Sequence, residues 1–470
     1  MKNCLKKLVA VTLVISTFVS TVAFANPSEP TVNAQSAILM EPETGTIIYE
    51  KNSEDKMYPA SMTKMLTALV LLDYFDYDAL ITVGDEINGI TLDSSKAGHK
   101  RGETLSVENL IRGLIIPSGN DSANVVAAAV AKKIENNNDL PYEECEKIFT
   151  ELMNKKAEEL GCKNSHFSNA HGYHDDNHYT TAYDMALITK EALKNETIKK
   201  IASEKSFSGD GSGNTLEENT NLVTQTYNWR SHNLLIADGE YNYEYATGLK
   251  TGFTDQAGDC VAATAEKDGT QLIAIIMNSE DPNRWLDARN LFEYGFNNFS
   301  INTLQKNGDV VETVGLTNNN KLNGNTLDVI VKEDIANYML NSDVENVEKV
   351  IKYNDDLVAE NKDDSSETAV TLKAPISKDS EIGTIKYELN GKTIKEAKLY
   401  ASTDVEKSTI LSSIQYFFKN LFTLSNLIIL AIIIIVLLII VIIIRIIRNR
   451  RRRQAYRYKM PKYKNRKRRY

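Results

Sequence analysis

Cysteine is scarce: the chain has four in 470 residues. Cys4 falls in an N-terminal stretch that reads as removable, which leaves Cys145, Cys162 and Cys260. An odd number implies no disulfide framework. If Glu143–Leu160 is one helix, Cys145 and Cys162 lie about 25 Å apart along it. A disulfide needs Cα atoms within about 7 Å; pairings with Cys260 stay open. Histidine is scarce too, six in all, and four of the six are His166, His171, His174 and His178, with Asp175 and Asp176 among them. His-x₃-His spacing suits zinc on a helix face. The stretch "HGYHDDNHY" is made of turn residues instead, so no metal or other cofactor is expected. The two tryptophans, Trp229 and Trp285, fit either a groove wall or the core, where single aromatics usually sit, and neither is given a role.

Two further absences fall near the chain end. Leu427–Ile444 is eighteen residues without a polar side chain, long enough to span hydrocarbon. Arg445–Tyr470 has fourteen Lys/Arg and no acid. The positive-inside rule keeps that tail cytoplasmic and residues 26–426 outside. Tyr456, Tyr458 and Tyr463 interleave its charges. Nucleic acid is one reading of such a tail; a stop-transfer signal on anionic lipid is the reading taken. Residues 1–25 read as a secretory signal: Lys2, Lys6 and Lys7, an apolar run from Leu8, then Ala23-Phe24-Ala25 as cleavage site. An uncleaved anchor is the alternative. The chain carries −9; with fourteen positive charges in the tail and three in the first seven residues, residues 8–444 carry −26. So acidic an ectodomain does not bind polyanions.

Between these ends, periodicity gives an α/β region and then a β region. "QSAILMEPETGTIIYE" reads as a hairpin around Gly45. Helical patterns follow at Ser61–Tyr74, Ser106–Leu114, Ser122–Ile134, Glu143–Leu160 and Ala182–Leu193. Residues 206–222 read as a polar loop. Strands return in "DCVAATAEKDGTQLIAIIM", turning at Asp268-Gly269, and a helix at Asn283–Tyr294 closes the block. First and last strands are expected to share one sheet. Residues 300–405 read as a small all-β domain: Ile385, Tyr387 and Leu389 alternate with Thr384, Lys386 and Glu388 before an Asn390-Gly391 turn, and "NKDDSSET" is a polar loop. Residues 406–426 form an amphipathic lead, with Ile410, Ile414, Phe417 and Leu421 at helical spacing.

One apolar helix raises a chemical question. "YPASMTKMLTALVLL" carries a single charge from Ser61 onward, Lys64. Residues three apart share a helix face, so Ser61 and Lys64 meet. An ammonium without solvent loses its proton readily, and a neutral lysine can take the proton of a hydroxyl. Ser53 and Lys56 share the spacing in a polar turn, where nothing would lower the lysine's pKa. A capping serine with a snorkelling lysine is the structural alternative for Ser61 and Lys64.

Two later stretches decide between these readings. "IIPSGND" places Ser118-Gly119-Asn120 before the helix at Ser122, and "GLKTGFTDQAGDC" places Lys250-Thr251-Gly252 on a strand. Ser122–Asn124 and Ser212–Asn214 match Ser-x-Asn in other contexts. The three motifs in this order form the set of class A β-lactamases and penicillin-binding proteins. The chain resembles the low-molecular-mass penicillin-binding proteins that act as serine-type D-alanyl-D-alanine carboxypeptidases. The likeness extends through "PASMTKMLTALVLLD", "GETLSVENLIRGLIIPSGNDSANVVA", "ELMNKKAEELGCKNSHFSNAHGY", "HYTTAYDMALI" and "GLKTGFTDQAGDCVAATAEKDGTQLIAIIM". It is strong over residues 30–300 and looser beyond, where "LKAPISKDSEIG" carries it.

The resemblance implies a β-lactamase/transpeptidase-like domain at 30–299, an antiparallel sheet flanked by helices plus a helical subdomain. The all-β domain at 300–405 and a transmembrane helix at 427–444 follow. It implies that Ser61 attacks the carbonyl between the last two D-alanines of a peptidoglycan stem peptide, with Lys64 as general base. Ser118 would pass a proton to the leaving D-alanine. Asn120 would hold the peptide amide, and Lys250 and Thr251 the terminal carboxylate, while Gly252 leaves room for substrate backbone. The oxyanion would lie between the backbone N–H groups of Ser61 and Phe253. β-Lactams would acylate Ser61 and leave slowly. The enzyme would sit in a bacterial cell membrane by one C-terminal span, its catalytic domain extracytoplasmic. This chain departs from the family pattern at Thr247, where an acid is usual, in its long preceding loop, and in adding a span and basic tail. A β-lactamase and a wall-binding or antibiotic-sensing module are the competing readings.

Overall fold

The computed structural model describes residues 27–210, 225–359, 370–421 and 423–458. The signal stretch, most of the 206–222 segment, "NKDDSSET" and the last twelve residues of the basic tail lie outside the described residues. The chain forms two compact units, residues 1–302 with 336–346, and residues 303–335 with 347–470.

The first unit is built on β1 (Ser36–Glu41), β2 (Thr46–Lys51), β7 (Ala246–Thr254), β8 (Gly258–Lys267) and β9 (Thr270–Ser279). They form one antiparallel sheet in the order β2-β1-β9-β8-β7, so first and last strands do share a sheet. Alternation sorts their side chains to two faces. Ile38, Met40, Cys260, Ala262, Ile273, Ile275 and Met277 join one core. Ala37, Leu39, Val261, Ala263, Leu272, Ala274 and Ile276 join the other. Each fully buried aliphatic contributes roughly 1.5–3 kcal/mol. Asp268 and Gly269, at φ 51° and 80°, make the β8–β9 turn, as two-residue hairpin turns require.

The first face is covered by α1 (Lys64–Tyr74), α2 (Val107–Ile115), α3 (Asn120–Glu135), α4 (Tyr142–Glu159), α5 (Ala182–Leu193) and α6 (Glu196–Ala202). The second is covered by α7 (Asn283–Asn298) through Trp285, Ala288, Leu291 and Phe292, spaced for one helix face. Three expectations are corrected. Ser61 stands in a 3₁₀ turn, Ala60–Thr63, ahead of α1. The helix after Ser118-Gly119 opens at Asn120, not Ser122. Residues 206–210 are a strand, β5, paired with β6 (Thr226–Arg230). Its cause is Phe207, which lies opposite Trp229 with ring centroids 5.4 Å apart. Trp229 and Trp285 are core, at 5% and 1% exposure. Cys145, Cys162 and Cys260 are free thiols.

The second unit holds a six-stranded sheet of β11 (Val310–Thr317), β12 (Thr326–Ile330), β14 (Glu348–Tyr353), β15 (Thr371–Lys373), β16 (Glu381–Leu389) and β17 (Lys392–Ala401). Ile385 and Tyr387 are fully buried, and Asn390-Gly391 turns with both φ positive. Residues 336–346 depart from the expected boundary at 300. Tyr338 is buried in the first unit's second core and donates to Gly295 O at 3.0 Å. Past β17 come α8 (Ile410–Leu421) and α9 (Leu424–Tyr458). Ser425–Gln454 is long and apolar enough to cross a membrane.

Candidate active site

Pro59 and a left-handed Ala60, φ 46°, start the 3₁₀ turn that carries Ser61. Thr63 Oγ1 donates to Ala60 O at 2.8 Å and lies 2.8 Å from His178 Nε2. His178 Nδ1 accepts from Ser168 N–H at 3.0 Å, which assigns the proton to Nε2. Burial pushes His178 down to about 3, so it is a neutral donor to Thr63. Gly172, at φ 83°, closes the turn from the other side. A Cβ there would lie 1.9 Å from Ala60 O. The histidine-rich stretch thus buttresses the Ser61 turn.

Lys64 is the first residue of α1 and fully buried. Its Nζ lies 2.9 Å from Ser61 Oγ, 2.7 Å from Asn120 Oδ1 and 2.8 Å from His171 O. Burial first, and then the charge of Lys250, hold its pKa well below the usual lysine value. A neutral amine has two hydrogens and one lone pair. Asn120 Oδ1 and His171 O only accept, so they take both hydrogens. In that neutral form the lone pair faces Ser61 Oγ, 2.9 Å away; in the ammonium form the third hydrogen goes to the same oxygen.

Ser118 holds a left-handed φ of 60° and is buried. Lys250 Nζ donates to Ser118 Oγ and to Thr251 O, each at 2.9 Å. Lys250 is fully buried, and burial, then Arg284, bring it down to about 7. Gly252 faces the Ser61 turn. A Cβ at 252 would lie 2.9 Å from Pro59 O and 3.2 Å from Ser61 N. The glycine therefore serves the packing of β7 on that turn, a tighter constraint than room for substrate.

Above these groups opens a cavity of about 620 Å³. Ser61, Ser118, Asn120, Thr251, Gly252 and Phe253 line it, while Lys64 and Lys250 lie behind its wall. Of the eight expected site residues, seven are brought together directly, and Gly252 brings the backbone of β7 to Ser61 N. Thr247 is outside the cavity lining and bonds Thr264 across β7–β8 at 2.8 Å.

The sequence model described as D-alanyl-D-alanine carboxypeptidase matches residues 23–281, and the penicillin-binding protein 5 C-terminal domain matches residues 299–407. The chain belongs to the D-alanyl-D-alanine carboxypeptidase family. It is 29% identical over 391 residues to D-alanyl-D-alanine carboxypeptidase DacF of Bacillus subtilis, covering 82% of this chain and 89% of that one. DacA of Escherichia coli K12 is 27% identical over 84% and 89%. Among solved structures, penicillin-binding protein 5 of Haemophilus influenzae superposes with a TM-score of 0.59 at 27% identity, covering 81% of this chain and all of that one.

This carboxypeptidase is a serine hydrolase of penicillin-binding type. That sets aside the β-lactamase and sensor readings. Sequence reasoning missed several residues of its cleft. Arg284, in the first turn of α7, lines it and is held by Asp259 and Asp281, both at 2.8 Å. Asp93, Ser94 and Ser95 form a wall, and His232 and Tyr173 reach in from other loops. An arginine two residues after Asp281-Pro282 is the one local hint; the loop residues have no pattern.

Proposed function

We propose that Ser61 is the acylating nucleophile toward the D-alanyl-D-alanine end of a peptidoglycan stem peptide, and that neutral Lys64 is its base. The observation that carries this is the Lys64 amine. Both its hydrogens are committed to carbonyl oxygens, and its free electron pair lies 2.9 Å from Ser61 Oγ. Ser61 oxygen bonds to the carbonyl carbon, and its proton moves to Lys64 Nζ. Backbone N–H groups of Ser61 and Phe253 receive the oxyanion. The carbon–nitrogen bond then breaks. Ser118, fed by Lys250, hands a proton to the departing amine. Water reverses the sequence and releases the shortened peptide. A β-lactam follows the first half and leaves Ser61 acylated.

Asn120 spends its oxygen on Lys64, so its amide hydrogens serve the peptide carbonyl. Thr251 and Arg284 line the cleft and meet the terminal carboxylate, with Lys250 supplying positive potential from behind. Gly252 lets β7 approach closely enough for this. The ectodomain works outside a bacterial cytoplasmic membrane, anchored by α9, with the basic end inside. Incubating the purified chain with a stem pentapeptide tests the reading. D-Alanine is released by the wild type and not by Ser61→Ala. Release by Ser61→Ala, or none by the wild type, contradicts it.

A further inference from the structure

Behind the first turn of α3 lies a second hydroxyl–imidazole–carboxylate row. Ser122 Oγ is 2.8 Å from His99 Nε2, and His99 Nδ1 is 3.1 Å from Glu103 Oε1. Tyr227 OH meets Glu103 Oε1 and lies 2.7 Å from His99 Nδ1. Gln225 Nε2 closes the row on Tyr227 OH at 3.0 Å and Gly98 O at 2.7 Å. Burial and Glu103 raise the Tyr227 pKa, so its phenol stays protonated and donates to Glu103. With His99 Nδ1–H also directed to Glu103, Nε2 accepts from the Ser122 hydroxyl.

The row has the order of a catalytic triad and none of its access. Ser122 is 0% exposed, Glu103 1% and His99 7%. A Cβ on Gly113 would lie 2.3 Å from Ser122 Oγ, so no reacting carbon fits there. What the row does touch is the floor of the cleft. Asn120, two residues before Ser122, holds Lys64. Asp121, between them, accepts from the N–H groups of Ala97, Gly98 and His99 at 2.7, 2.7 and 3.1 Å. Asn120 N–H donates to Ser95 O at 2.9 Å.

We propose that His99, Glu103, Tyr227 and Ser122 are positioning residues for acylation. They pin the first turn of α3 to the 95–99 segment, and so fix Asn120 against Lys64 and Ser94–Ser95 as a wall of the cleft. This rests on the roles given above to Ser61 and Lys64. Asp121 and the Asn120–Ser95 bond hold the turn on the segment; the side-chain row ties it to β6 as well. Misplacing a catalytic contact by about 1 Å costs on the order of a hundredfold.

The test is stopped-flow acylation of the full chain in detergent by benzylpenicillin, resolved into apparent affinity and limiting rate. His99→Leu and Ser122→Ala each lower the limiting rate about ten- to a hundredfold, with affinity changed less than about threefold. His99→Gln, which keeps a polar end near the Nε2 position, recovers part of the rate. A wild-type limiting rate in Ser122→Ala overturns the inference, as does a loss confined to affinity. If His99→Leu does not fold, Ser122→Ala reads the same bond. Ser61→Ala runs alongside: labelling of that variant overturns the underlying assignment instead, and the two failures stay distinct.

Discussion

At the scale of single residues, two lysines shut off from solvent carry the proposed chemistry. Lys64 and Lys250 are both buried and each bonds a serine hydroxyl of the cleft. A lysine whose pKa falls on folding makes the folded state bind fewer protons than the unfolded one. Stability then rises with pH between the folded and unfolded values. For Lys250 that window runs from about 7 to the ordinary 10.5. The melting temperature of the wild type, relative to Lys250→Met, is expected to rise from pH 7 to pH 10. A flat difference contradicts the burial argument. Ser61→Ala is expected to abolish labelling by a fluorescent penicillin, and Ser53→Ala to leave it intact. Ser53 Oγ donates to Glu50 Oε2 at 2.8 Å, and no lysine joins it in that bond. Ser61 and Lys64 were legible because three residues of chain bring them together. His99 and Tyr227, or Ser61 and Arg284, were not. Their partners lie more than a hundred residues away, and no local period marks them.

Among elements, the turn that carries Ser61 departs most from expectation. The apolar run from Ser61 reads as one helix, yet its first residues form a 3₁₀ turn wedged between Gly252 and Gly172. Gly172→Ala is expected to destabilise by about 2 kcal/mol or more, since it adds a clash to a left-handed backbone. In a unit of this size that corresponds to a drop of roughly 3 °C or more in melting temperature. Gly89→Ala, where a Cβ meets nothing within 4 Å, shifts it little. Equal shifts in the two variants contradict the wedge. Elements with strong period or turn chemistry were legible: β8 and β9 with Asp268-Gly269, α5 to the residue, β16 and β17 with Asn390-Gly391. The β5–β6 hairpin was not, because its strands are half polar and owe their pairing to Phe207 and Trp229.

At the scale of the whole molecule, one chain carries both a carboxypeptidase cleft and a helix long and apolar enough to fit a bilayer. A chain of residues 26–407 is expected to remain in the supernatant after ultracentrifugation. The full chain is expected to sediment with membranes through an alkaline carbonate wash. Sedimentation of both contradicts α9 as the anchor. Composition made the long apolar helix legible; nothing local marked residues 336–346 as part of the first unit, because Tyr338 finds Gly295 O only in the folded chain. The most direct measurement is peptide mapping by mass spectrometry after benzylpenicillin treatment of the full chain. The expected result is one penicilloyl adduct, on Ser61, absent from Lys64→Met. An adduct on Ser53 or Ser118, or undiminished acylation of Ser61 without Lys64, would contradict a buried amine as the source of the nucleophile.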